Sequence, residues 1–121
     1  LSVQPESEWI EYTASRKANT LILGLFNHGR IGFPSGNGAD HGPWTGQVRL
    51  HARKLPWLGE GPLEAFALDP EAFCDGPEVH LETVPVERDG DLIILHAALD
   101  RKLEVIVGPE GLARRQFYHL R

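Results

Sequence analysis

Cysteine is nearly absent: Cys74 is the only one in 121 residues. The chain can close no internal disulfide and offers no thiolate set for a Cys-based zinc site. A lone thiol is typical of a reducing compartment, so the expected location is cytoplasmic. Methionine is missing altogether, and the sequence opens on Leu1. Initiator methionine is normally removed before a small residue, so the chain is expected to be a trimmed domain, a processed product, or one without its disordered ends. No apolar run approaches the roughly 20 residues that cross a bilayer. The strongest one near the N-terminus, residues 20–26, is far too short, and no signal peptide is recognisable. No membrane partner is expected. Excess positive charge is also lacking, since the net charge is −5. A domain built to neutralise phosphates carries a basic surplus, so nucleic acid is a disfavoured partner.

Familiar chemical signatures are missing as well. The six histidines are His28, His41, His51, His80, His96 and His119. No two of them stand at the i, i+2 or i, i+4 spacing of HxH or HExxH metal pairs. There is no GxxxxGK[ST] run. The GxGxxG pattern begun by Gly36 and Gly38 fails at His41, and no GxSxG nucleophile elbow occurs. No cofactor and no metal is assigned from the sequence. Internal repeats and low-complexity segments are absent too.

What is present is the composition of a folded domain: 41% hydrophobic and 24% charged residues. The length suits a single domain over residues 1–121. The 13 glycines and 9 prolines fall between apolar segments, as turns do in β-rich chains. Strands are expected over 9–14, 20–26, 47–53, 63–68, 78–87, 91–96 and 103–107. In the first, Ile10, Tyr12 and Ala14 share one face, and the link 15–19 suits a hairpin; a helix through Glu6 to Ala18 is the competing reading. In the third, Val48, Leu50 and Ala52 face the core while Arg49, His51 and Arg53 face out. Asp89-Gly90 predicts a tight hairpin, because both turn positions favour positive φ. With the strand after Asp100-Arg101-Lys102, this predicts a three-strand meander. Pro85 predicts an edge position for its strand.

Helix signals are fewer. Asp69-Pro70-Glu71 starts a short helix that Gly76 and Pro77 end. Pro109 opens a C-terminal helix with Leu112, Ala113, Phe117 and Leu120 on one face. The fold class is therefore mainly β, a β-rich α+β chain. Its architecture is an antiparallel sandwich or partly open barrel of about seven strands with one or two short helices, including the C-terminal one.

The irregular stretch 27–46 is the longest loop, and long loops in compact domains are often functional. Asp40 and His41 within it could serve as an acid–base pair, or with His28 as metal ligands, in a small hydrolase or metal-dependent enzyme. A surface loop rich in turn residues explains the same composition. Arg49, His51 and Arg53, with Trp44 nearby, form a basic stripe that could hold single-stranded nucleic acid. A solvated strand face paired with acidic neighbours is the plainer account. Cys74 beside Phe73 reads as a small core residue. The leading expectation is a non-catalytic binding or interaction domain with a protein partner or a second copy of itself. Its candidate ligand-binding residues are His28, Asp40, His41, Trp44, Arg49, His51 and Arg53.

Overall fold

The computed structural model of the protein describes residues 1–4, 6–29, 42–68 and 81–111. Nine strands run in the order β1 (Ser2–Gln4), β2 (Ile10–Lys17), β3 (Thr20–Asn27), β4 (Trp44–His51), β5 (Leu63–Leu68), β6 (Leu81–Thr83), β7 (Val86–Asp89), β8 (Leu92–Leu99) and β9 (Lys102–Pro109). They form two antiparallel sheets, β1-β4-β8-β7 and β2-β3-β9-β5-β6. Alternation places one side chain of every two between the sheets. Leu21, Leu23 and Leu25 of β3, with Val105 and Val107 of β9, meet Val48 and Leu50 of β4 and Ile93, Leu95 and Leu99 of β8 in one buried cluster.

Each strand expected from the sequence has a counterpart. The count is higher because β1 is additional and the segment 78–87 is divided. β6 pairs with β5 in one sheet, and β7 pairs with β8 in the other. The chain passes between sheets at Val84-Pro85, where Val84 donates to the Ala65 carbonyl and His96 to that of Pro85. Both β6 and β7 end their sheets, so Pro85 stands at an edge.

Several expectations are corrected. β8 and β9 belong to different sheets, so no three-strand meander forms; β9 lies between β3 and β5. A short polar link serves a hairpin and a sheet crossing equally well, and the burial of Val105, Ile106 and Val107 decides for a central strand. β4 stops at His51, and Ala52–Lys54 turn into a 3-10 helix, which removes Arg53 from the strand face. A second 3-10 turn spans Pro56–Leu58. The C-terminal helix is not borne out. Pro109 is the last residue of β9, in register with Leu63, and the Glu110 N–H binds the Pro62 carbonyl. A proline after glycine fits the end of a strand as well as the start of a helix. Residues 112–121 and the short helix expected after Asp69 lie outside the described residues, among which no α-helix occurs.

Candidate functional site

Asp40, His41 and Cys74 lie outside the described residues. Both ends of the stretch 27–46 expected to be irregular belong to strands, since β3 runs to Asn27 and β4 begins at Trp44. Asn27 is buried and fastens both loop ends: its Oδ1 accepts from the Gly29 N–H at 3.1 Å, and its Nδ2 donates to the Gly42 carbonyl at 3.1 Å. The sequence reading missed this residue. Its signal was a lone amide closing an apolar strand immediately before the loop.

The remaining candidates do not converge. His28 is exposed and contacts Glu11 Oε2 at 2.6 Å. Trp44 is buried in the core, inside β4. Arg49 turns its Nε and Nη2 onto Gln47 Oε1 of its own strand, at 3.3 and 3.1 Å. His51 Nδ1 meets Asp91 Oδ2 at 3.2 Å, and Arg53 Nε lies 3.7 Å from the same oxygen. His96 pairs with Glu87 on the neighbouring strand. On the outer face of the four-stranded sheet, Arg49 thus bonds an amide of its own strand, while His51 and His96 each contact a nearby carboxylate. Among the described residues, no three His, Cys, Asp or Glu side chains gather as a metal site would need.

Asp91 fastens the β7–β8 turn to the first 3-10 helix. Its Oδ1 accepts the Arg53 backbone N–H at 3.0 Å, and its carbonyl accepts from Ala52 N–H at 2.7 Å. The Arg53 N–H holds this carboxyl below its ordinary value of 3.8. Desolvation opposes the shift, while the His51 bond and the Arg53 and His51 charges add to it. The turn itself is Gly90-Asp91, one residue later than Asp89-Gly90, since Asp89 pairs with Leu92. Gly90 has φ +59° at the first turn position, where a two-residue hairpin favours glycine.

The surface that does stand out is the free edge of β2. Its eight residues pair with β3 in unbroken register, Ile10 opposite Asn27 through Lys17 opposite Thr20, and β2 is the end strand of its sheet. Glu11 to Lys17 are all exposed. His28 N–H donates to the Trp9 carbonyl. The alternation of an antiparallel ladder then makes Glu11, Thr13, Ser15 and Lys17 bond β3. It turns the backbone groups of Tyr12, Ala14 and Arg16 outward, where no partner is found among the described residues. Trp9 and Tyr12, the exposed large hydrophobic side chains among the described residues, are here too, at 38% and 45% exposure.

Beside this edge the sandwich is open. A crevice of about 140 Å³ enters between the sheets, lined chiefly by Tyr12, Ala14, Leu21, Leu23, Leu50 and Leu55. The Arg16 guanidinium lies 4.7 Å from the Trp57 ring centroid. On the outer face, Gly24 leaves room for the Thr13 hydroxyl, which would stand 2.7 Å from an added Cβ.

No family model and no curated protein matches this chain.

Proposed function

We propose that the chain is a non-catalytic binding domain that takes an extended protein segment along the free edge of β2. The observation that supports this reading is the edge itself: eight residues without proline or bulge, with outward-facing backbone groups and Trp9 and Tyr12 exposed beside it. Proteins ordinarily protect such edges with proline, bulges, charged side chains or a covering element, because unpaired N–H and C=O groups recruit another strand; β2 carries the charges of Glu11, Arg16 and Lys17 but no proline or bulge. An added strand gains main-chain hydrogen bonds for affinity and places alternate side chains in pockets for specificity. Here every second side chain of the incoming segment faces the crevice beside Tyr12 and Ala14, which has room for one aliphatic group.

Selection of random peptides displayed on phage tests this. Enriched peptides are expected to alternate apolar and polar residues and to lose binding to the Ala14→Pro variant. Ala14 directs its N–H to the free edge, so proline removes an edge donor without breaking a β2–β3 bond. Selected peptides that bind Ala14→Pro undiminished would overturn the reading.

A further inference from the structure

We propose that the segment taken by β2 is β2 of a second copy of this chain, paired antiparallel about a two-fold axis at Ala14. The two five-stranded sheets would then join into one. This rests on the edge reading and names its occupant.

The phase of the ladder restricts the possibilities. Tyr12, Ala14 and Arg16 carry the outward backbone groups, so an antiparallel copy must set even-numbered residues opposite even-numbered ones. With Ala14 opposite Ala14, Tyr12 faces the second copy's Arg16, Thr13 faces its Ser15 and Glu11 faces its Lys17. Opposite charges, hydroxyl pairs and an aromatic beside a cation are all favourable cross-strand neighbours. The two-fold axis repeats each pair, as a self-complementary interface requires.

In-phase registers on either side lose this match. One places Glu11 opposite Ser15 and the other opposite Asn19, and centring on Arg16 brings two guanidinium groups together. The groups concerned are accessible. The Glu11 side chain is 66% exposed, and His28 contacts only its Oε2. Arg16 is held over Trp57 on the face where the second copy's Tyr12 would arrive. The charges on β2 therefore complement a copy in one register, where like charges would repel it.

Sedimentation equilibrium of the wild-type chain and its edge variants is the test. A monomer–dimer equilibrium is expected, and Ala14→Pro abolishes the dimer. Glu11→Lys and Lys17→Glu each weaken it about tenfold, and the double exchange restores it to within about threefold of wild type. The exchange keeps the test decisive if the proline variant fails to fold. A chain that stays monomeric near 1 mM (about the upper end of workable concentrations) overturns the proposal. So does a dimer whose affinity ignores Glu11 and Lys17. A monomer that binds selected peptides through Ala14 overturns self-pairing alone and leaves the edge reading standing.

Discussion

Ala18 has φ +53° in the two-residue turn between β2 and β3, a left-handed conformation that costs a residue with a Cβ roughly 1–2 kcal/mol. Glycine relieves that strain and loses some of the gain to its greater unfolded-state entropy. Ala18→Gly is expected to stabilise the fold by up to about 1 kcal/mol in urea denaturation. Asn27 contributes in the opposite direction. Asn27→Ala removes the side-chain acceptor of the Gly29 N–H and the amide donor to the Gly42 carbonyl. It is expected to cost about 1–3 kcal/mol, read as a lower midpoint in urea denaturation. For Asp91 the folded pKa is depressed, so its contribution is fully present above 3.8 and disappears as pH falls below that value through the folded pKa. The difference in denaturation midpoint between wild type and Asp91→Asn should therefore be steady near neutrality and vanish in acid. These residues were hard to find in the sequence because their partners are remote along it. His51 and Asp91 are 40 positions apart, and Asn27 and Gly42 are 15.

Strands were the most legible elements. The alternation of Val48 and Leu50 is the burial pattern of β4 in outline; that of Ile10, Tyr12 and Ala14 marks the strand β2, although Glu11 to Lys17 are all exposed. Their connections were less legible. Gly90 and the 100–101 link carry the same turn chemistry, yet one closes a hairpin and the other crosses between sheets. The difference lies in which faces become buried, and that depends on partners distant in sequence. The same dependence hid the edge: alternation showed that Tyr12 belongs to a strand, whereas only the sheet order shows that β2 has one neighbour. At this scale Ala14→Pro and Thr13→Pro are expected to differ. Ala14→Pro keeps the β2–β3 ladder, while Thr13→Pro removes a donor from it. Thermal unfolding followed by circular dichroism should therefore show a clearly lower midpoint for Thr13→Pro.

Among the described residues, the fold buries one face of each sheet in a shared core and leaves β2 as the longest end strand without a second neighbour. Leu23 and Leu95, from opposite sheets, are almost fully buried. Truncating Leu95, which does not line the crevice beside β2, to alanine should cost about 2–5 kcal/mol without altering edge binding beyond the loss of folded protein. Two antiparallel sheets were within reach of composition and turn spacing. The free edge became visible only when the sheets were assembled. The account turns on whether that edge is where the molecule binds. Backbone amide hydrogen exchange along β2, in the free protein and with a bound segment or a second copy, tests this most directly. Thr13 and Ser15, which face β3, should exchange slowly in both states. Tyr12, Ala14 and Arg16 should exchange fast when free and slow when bound. Fast exchange at those three amides in a saturated complex, with protection gained on another face, would contradict the account.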